Sequence, residues 1–308
     1  MQPHLDKNIR TVIVGNSESD LMVKISTHTD FLGIVEEQRT VSKHDKIFGG
    51  MTELKKAILE GRVDEVFWNL SNTHDSLKSY YKSLCESHMV RMYIVDEDKS
   101  EVNSLILKKE PLHKTHNLII KRTFDIIVSL LVIVFILSWV LPIAAILIKL
   151  TSKGPIFFLQ DRTGIDGVPF KILKLRTMYV NDDSDKVSCQ KNDSRITSVG
   201  NFLRKTYIDE MPQFFHALSG KMSVVGPRPH MISHTKEFGE TLSSFMVRHY
   251  VKPGLTGWAQ VNGSHGSMET TKDMEKRVKL DIWYIENWKF YLDFIICFKT
   301  FLMIFKKS

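Results

Sequence analysis

From Phe124 to Ile148 the chain is apolar at every position except Asp125, Ser129, Ser138 and Pro142. As a helix rising about 1.5 Å per residue, this stretch reaches roughly 37 Å, enough for a hydrocarbon core of about 30 Å. A buried core helix is the competing reading, but such helices rarely run past about 20 residues, so a membrane segment is expected. Lys114, Lys121 and Arg122 precede it, and Lys149 and Lys153 follow it. Positive residues favour the cytoplasmic face, and a simple span usually has them mainly on one side. Ser138 and Pro142 fall near the middle, where a missing N–H and a ring clash bend a helix. The pattern favours a helix that enters one leaflet, breaks near Ser138 to Pro142 and returns, which puts residues 110 and 160 on one side. A kinked span is the alternative.

The 308 residues suggest about two domains. With 43% hydrophobic and 25% charged residues, wholesale disorder, collagen and coiled coil are excluded. The net charge of +7 fits nucleic acid, an anionic membrane surface or a phosphorylated substrate without choosing among them. Cys85, Cys189 and Cys297 are far apart and odd in number, so neither a disulfide framework nor a C-x-x-C zinc pattern is expected. Met1 to Arg10 carries no apolar run, and no secretory leader is expected.

Ahead of the apolar stretch, Thr11 to Gly15, Phe31 to Val35, Val63 to Leu70 and Val90 to Val95 read as strands. Leu21 to Ile25, Leu54 to Leu59 and Asp75 to Cys85 read as helices. This alternation predicts an α/β fold with a parallel, Rossmann-like sheet over residues 1–113, with a polar linker at 97–117. The nucleotide fingerprint is degenerate, because Gly15-Asn16-Ser17-Glu18 lacks the further glycines that let backbone approach a pyrophosphate. A regulatory or assembly module, dispensable for chemistry, is expected. At the other end, Phe290 to Phe305 is apolar and aromatic, with Lys289, Lys299, Lys306 and Lys307 around it, which suits an interfacial helix as well as a core one.

Asp209-Glu210 is the most informative pair. Pro212, the apolar Phe214, Phe215 and Leu218, and the stop Ser219-Gly220 predict a helix with Asp209 near its N-cap. Asp209 is then either a plain cap or a carboxylate kept ionised by the helix dipole, as a nucleophile must be. Two adjacent acids also suit Mg²⁺ beside a diphosphate. Gly226-Pro227-Arg228-Pro229 is a stiff turn carrying a guanidinium suited to phosphate. Lys252 to Gln260 is a second glycine-punctuated loop. Gln160 to Gly164 and Phe170 to Met178 add Arg162, Lys174 and Arg176 beyond the apolar stretch. His216 and His249 have no metal-ligand spacing and read as structural.

In chain order, Lys121-Arg122 with Phe124-Asp125, the membrane helix, Lys153-Gly154-Pro155 with Phe157-Phe158, Arg176-Thr177-Met178 and Leu203 to Thr206 come first. Asp209-Glu210, Gly226 to Pro229 and Gly254 to Trp258 follow. This order resembles the bacterial sugar transferases, the monotopic polyprenyl-phosphate glycosyl-1-phosphate transferases that begin capsule, exopolysaccharide and O-antigen synthesis. The resemblance covers about residues 118–308, and residues 1–117 resemble the Rossmann-like domain of the larger members. Larger members usually begin with a bundle of about four membrane helices, and none is expected from the residues that precede 118 here. The chain also has Ser138-Trp139 where Ser-Pro is common, with the proline one turn later.

The resemblance implies a mainly helical α+β monotopic membrane domain at 114–308 with a re-entrant helix at 119–150, on the cytoplasmic face of the bacterial inner membrane. It implies transfer of a sugar-1-phosphate from a UDP-sugar to polyprenyl phosphate, with release of UMP. In that mechanism Asp209 attacks the sugar-bearing phosphorus and forms a covalent phosphosugar intermediate, while Glu210 places Mg²⁺ or accepts a proton. Lys121 and Arg122 would hold the lipid phosphate. Arg162, Lys174, Arg176, Arg228 and Gln260 would bind substrate, and Asp281 would join Asp209 and Glu210 at the metal. The implied partners are UDP-sugar, polyprenyl phosphate and membrane lipid, not nucleic acid, with a homodimer left open. An oxidoreductase or epimerase using the first sheet, and an inactive membrane adaptor, are the competing classes.

Overall fold

The computed structural model describes residues 9–15, 30–35, 47–69, 75–96, 101–180, 193–264 and 270–306. The helix expected at Leu21 to Ile25, the positions Asn16 to Glu18, Cys189 and Lys307 lie outside the described residues. The chain forms two compact units, one of Met1–Glu110 with Lys236–Tyr250, the other of Pro111–Thr235 with Val251–Ser308.

The first unit is built on a sheet of β1 (Arg10–Val14), β2 (Asp30–Val35), β3 (Ile47–Gly49), β4 (Glu65–Asn69), β5 (Arg91–Asp96) and β6 (Glu101–Ser104). Their order is β3-β2-β1-β4-β5-β6, parallel except for β6, which runs antiparallel to β5. Consecutive residues of β1 are buried, as expected for a strand covered on both faces. Val12, Val14, Val66, Trp68 and Met92 pack against Leu54, Ala57 and Ile58 of helix α1 (Met51–Leu59) and Tyr81 and Cys85 of α2 (Asp75–Ser87). Ile13, Ile34, Phe67 and Val95 form the other face. Gly15 ends β1 at φ +104°, and a Cβ there would approach the Asn69 Cβ to 3.0 Å, so the turn needs glycine.

Two features differ from the sequence reading. The stretch expected as linker contributes strand β6 and the buried Leu107, because backbone pairing with β5 outweighs its polar composition. The segment Lys236–Tyr250, far along the chain, completes the first unit. There Phe245 and Val247 are buried, the Tyr250 hydroxyl donates to the Val90 carbonyl at 3.0 Å, and Arg91 lies 4.8 Å from the Tyr250 ring centroid. A chain begun at His113 would leave these side chains without their partners.

In the second unit one helix runs from Thr115 to Thr151, with mean hydropathy 3.0 in its most apolar window. It comprises α3 (Thr115–Val132), a wider π turn at Ile133–Leu137 and α4 (Ser138–Thr151). The π turn directly precedes Ser138, whose hydroxyl donates to the Val134 carbonyl at 2.6 Å, and Pro142 follows within α4. Such a turn is one way a helix accommodates a proline downstream. Phe135, Ile146 and Leu150 are among its exposed side chains, whereas a core helix would bury them.

Further along come the antiparallel hairpin β7 (Phe157–Thr163) and β8 (Pro169–Leu175), α5 (Ser198–Lys205), a 3₁₀ turn (Ile208–Gln213) and α6 (Phe214–Ser219). Next are β9 (Ser223–Val225), α7 (Ile232–Thr241), a 3₁₀ segment (Ser243–Tyr250), β10 (Gly254–Thr256), α8 (Trp258–Val261), α9 (Thr271–Asn287) and α10 (Phe290–Lys306). Helix α10 buries Leu292, Asp293 and Ile296 while exposing Tyr291, Phe294, Phe298 and Phe301, the two-faced pattern of an interfacial helix.

A buried ionic group joins α3 to β9 and α10. Lys121 Nζ is 2.8 Å from Asp293 and 3.8 Å from Asp125. Asp125 also accepts from the Ser223 hydroxyl at 2.9 Å and the Val224 N–H at 2.8 Å. Asp293 accepts from the Tyr284 hydroxyl at 2.8 Å and the Trp288 indole at 3.3 Å. Removing the one cation leaves two buried carboxylates facing each other. Lys121→Met is therefore expected to lower stability by about 3–5 kcal/mol, and Lys121→Met combined with Asp293→Asn by less, in thermal unfolding of the detergent-solubilised protein. A single variant as stable as the parent would show that the group contributes nothing.

Candidate active site

The segment bearing Asp209 is positioned by close backbone packing on either side. Thr197 caps α5 by accepting from the Gly200 N–H at 2.8 Å, and any Cβ on Gly200 would overlap the Thr177 carbonyl. Tyr207 then adopts φ +58°, turning the chain into the 3₁₀ turn. This revises the expected N-cap: Tyr207 stands there, and Asp209 and Glu210 lie within the turn with Pro212. Gly220, at φ +84°, ends α6 as expected.

Arg228 arrives on the loop after β9. Strands β9 and β10 pair in parallel, the Gly254 N–H donates to the Pro227 carbonyl at 2.9 Å, and the Gly226 N–H donates to the Thr256 carbonyl at 2.8 Å. A Cβ on Gly226 would lie 2.6 Å from the Lys252 carbonyl, and one on Gly254 would lie 2.1 Å from the Gly226 nitrogen. Both glycine-punctuated loops thus owe their glycines to one another.

Glu210 is where these pieces meet. Its carboxylate takes Lys174 Nζ from β8 at 2.8 Å and Arg228 Nη1 at 2.8 Å. Burial alone would raise its pKa, but Arg228 and Lys174 outweigh that and hold it well below the usual carboxylate range. Burial pushes Lys174 down, while Glu210 holds Arg228 up. Asp209, 8% exposed, has no hydrogen bond or ion pair to its carboxylate among the described residues. Its pKa is pushed up to about 6, by burial first and by the Glu210 charge second, against the pull of Lys174, Arg204 and Arg228. One acid is locked as an anion between two cations, and its neighbour is left open. That arrangement suits a nucleophile beside a phosphate site.

Arg162 joins the same electrostatic neighbourhood, acting on Lys174 and donating to the Gln160 side chain and, at 3.4 Å, the Pro229 carbonyl. Arg204 lies in the Leu203 to Thr206 motif but had no role assigned from sequence, and Tyr207 and Gln213 were not singled out. Arg204 acts on Asp209 and Tyr207 on Arg228, while Gln213 is buried with no partner for its Nε2 among the described residues. For Tyr207 and Gln213 the only sequence signal was proximity to the acidic pair.

Other expected site residues are committed elsewhere. Arg176 donates to the carbonyls of Pro155, Lys153 and Ser152, clamping the chain after α4. Lys121 holds Asp293, and Arg122 donates to the Ala217 carbonyl at 2.6 Å and to Leu218, at the end of α6. Gln260 reaches the Leu255 carbonyl at 3.3 Å, and its Oε1 is buried without a partner among the described residues. Asp281 is buried on α9 in the same helix face as Arg277.

Among the described residues, no group of three or more His, Cys, Asp or Glu could hold a metal ion, so Asp281 does not complete such a set with Asp209 and Glu210. Two adjacent carboxylates still fit Mg²⁺, a cation that keeps several waters and takes substrate phosphate oxygens as further ligands.

Residues 116–307 match the family described as Bacterial sugar transferase. The chain is 39% identical over 282 residues to a UDP-glucose:undecaprenyl-phosphate glucose-1-phosphate transferase of Klebsiella pneumoniae, covering 87% of this chain and 60% of that one. It is 47% identical over 186 residues to the protein so named in Escherichia coli (strain K12), covering 60% and 40% respectively. A UDP-N-acetylgalactosamine-undecaprenyl-phosphate N-acetylgalactosaminephosphotransferase of Aeromonas hydrophila is 36% identical over 222 residues, covering 72% and 50%. The chain thus spans at most 60% of the length of these relatives.

Beside the site, His216 on α6 accepts the Leu173 N–H through Nε2 at 3.0 Å, which ties α6 to β8 and requires the neutral ring. Burial lowers its pKa. A lowered value contributes stability above the unfolded-state pKa near 6.5, and that contribution is lost as pH falls toward the folded-state value. The unfolding midpoint should therefore drop on acidification below about pH 6.5. His216→Gln, which keeps an acceptor that does not titrate, should flatten that part of the profile.

Proposed function

Because the chain belongs to the bacterial sugar transferase family, we propose that it transfers a sugar-1-phosphate from a UDP-sugar to polyprenyl phosphate, releasing UMP. The observation that carries this reading is the open, buried Asp209 carboxylate beside Glu210, which is itself clamped by Lys174 and Arg228. An Asp209 oxygen attacks the sugar-bearing phosphorus, and the phosphorus–oxygen bond to UMP breaks with the electron pair leaving on UMP. An oxygen of the lipid phosphate then attacks the same phosphorus, and the Asp209 carboxylate departs with its electrons. Two steps let one site serve a soluble donor and a lipid acceptor in turn.

Glu210 keeps Lys174 and Arg228 in position to neutralise charge on the transferred phosphoryl group. Bonded to both cations, the Glu210 carboxylate is read as the group that orients them. Asp209 and Glu210 are the residues that would hold Mg²⁺, which when bound adds positive charge at the diphosphate. The donor names of the relatives make UDP-glucose and UDP-N-acetylgalactosamine the first two to assay.

The first unit has the strand order of doubly wound sheets and is read as a Rossmann-like module for regulation or assembly. The apolar helix is read as re-entrant, with the second unit on the cytoplasmic face of the bacterial inner membrane. The basic residues on both flanks and the π turn before Pro142 support this. Glu110 pairs with Arg91 and Gln160 is buried, so the exposed Lys109 and Lys153 are better reporters of sidedness. Cysteines at those two positions should resist an impermeant reagent in intact cells and react alike in inverted vesicles. Labelling of only one from outside would establish a span.

Asp209→Asn should lower UMP release by several orders of magnitude, since it removes the attacking charge with little change in shape. The same substitution should raise the unfolding temperature at neutral pH, because it removes a buried carboxylate that repels Glu210. With UDP-sugar and Mg²⁺ but no lipid, the parent protein should gain one sugar phosphate on the peptide containing Asp209. Near-parental turnover by Asp209→Asn, or no UMP from any UDP-sugar with lipid present, would overturn the assignment.

A further inference from the structure

Arg122 and Lys252 converge at the end of α6. A Cβ placed on Gly220 would lie 3.5 Å from Arg122 Nη2 and 3.6 Å from Lys252 Nζ. The two cationic groups are therefore about 7 Å apart or less, a gap that one phosphate spans with an ordinary charge-assisted hydrogen bond to each. Capping accounts for Arg122, which donates to the last carbonyls of α6. It does not account for Lys252, whose ammonium has no hydrogen bond or ion pair among the described residues although it is partly buried. Burial first, then the nearby Arg122 and Lys121, disfavour its charge, and Asp125 offsets them only in part. Asp125 supports its charge from a distance, but the Asp125 and Asp293 carboxylates are themselves bonded to Lys121, Ser223, Tyr284 and Trp288. An ammonium in that setting lacks a directly bonded counter-ion among the described residues.

Its depth indicates the kind of counter-ion. Leading into α3, the exposed residues His113 to His116 are polar or charged, and from Ile119 onward the exposed face is mainly apolar, with Ile119, Ile120 and Ile127 about Thr123. Arg122 lies one turn past Ile119. Beside it, Phe124 packs edge-on against Phe290 and Phe294 of α10, the helix with the exposed aromatic face. Long basic side chains at such a border reach lipid phosphates. Gly220 follows the far end of α6 from Asp209, a helical path of about 15–20 Å along the chain, whereas the phosphate that reacts belongs beside Asp209, Lys174 and Arg228.

We propose that Lys252 and Arg122 form a binding site for the phosphate of an anionic membrane phospholipid, at the opposite end of the turn-and-helix segment that carries Asp209. The proposal rests on the membrane attachment described above and not on the transfer reaction.

The test uses the full chain, purified in neutral detergent and titrated with phosphatidylglycerol, with polyprenyl phosphate or with inorganic phosphate while its unfolding temperature is read. Phosphatidylglycerol should raise the midpoint by several degrees in the parent protein and in Lys252→Arg. The shift should fall by more than half in Lys252→Met, which keeps the aliphatic stem. Native mass spectrometry should show one tightly retained phospholipid in the parent and Lys252→Arg, and none in Lys252→Met. Lys252→Gln supplies the same comparison if Lys252→Met does not fold. An equal shift in the parent and Lys252→Met, an equal response to inorganic phosphate, or a response to polyprenyl phosphate alone would each overturn the proposal. None of these readouts needs turnover, so failure of the transferase reading would not be mistaken for failure of this one.

Discussion

The clamp of Lys174 and Arg228 on Glu210 is the interaction around which the second unit is organised. Two adjacent carboxylates in a buried setting repel each other, and each alone would tend to take up a proton. Two cations on one of them settle the difference, leaving an anion that orients and a neighbour that is open. Bringing those cations in requires two separate pieces of chain. The β7–β8 hairpin supplies Lys174, and the glycine-dependent contact between the loops at Gly226 and Gly254 supplies Arg228. His216 then ties the helix after the acidic pair back to β8.

A second buried ionic group does comparable work for the membrane helix. The Lys121, Asp125 and Asp293 side chains join the start of α3 to β9 and α10, and Arg122 joins it to the end of α6. Apolar packing alone would leave a helix that is largely exposed along its length free to slide or rotate, whereas directional bonds to buried carboxylates fix its register. Lys121 and Arg122, at the start of the apolar stretch, therefore act as anchors within the unit. Near Arg122 lies a further cation, Lys252, which comes from a distant loop and has no hydrogen bond or ion pair to its ammonium among the described residues.

Much of the architecture was legible in the sequence because it is set locally. Hydrophobic runs with β-branched residues marked β1, β2, β4 and β5, and the apolar run marked the long helix. Asp209-Glu210, Arg228 and the two glycine-punctuated loops stood out by residue type and punctuation. Strand β6 did not, because an edge strand made by pairing with β5 needs no apolar pattern of its own. The place of Asp209 within the 3₁₀ turn also escaped the sequence, since Tyr207 takes a backbone conformation that its side chain does not advertise.

Residue type and spacing determined where the chain could enter a membrane, which segments could form a parallel sheet and which carboxylates were candidates for chemistry. Tertiary structure alone decided the partners. Lys121 pairs with a carboxylate 172 positions away, Lys174 reaches Glu210 across 36, and Lys236–Tyr250 completes the unit formed by the first part of the chain. The reason is physical: an ion pair or a buried tyrosine is specified by distance and desolvation in three dimensions, and neither leaves a periodic trace along the chain.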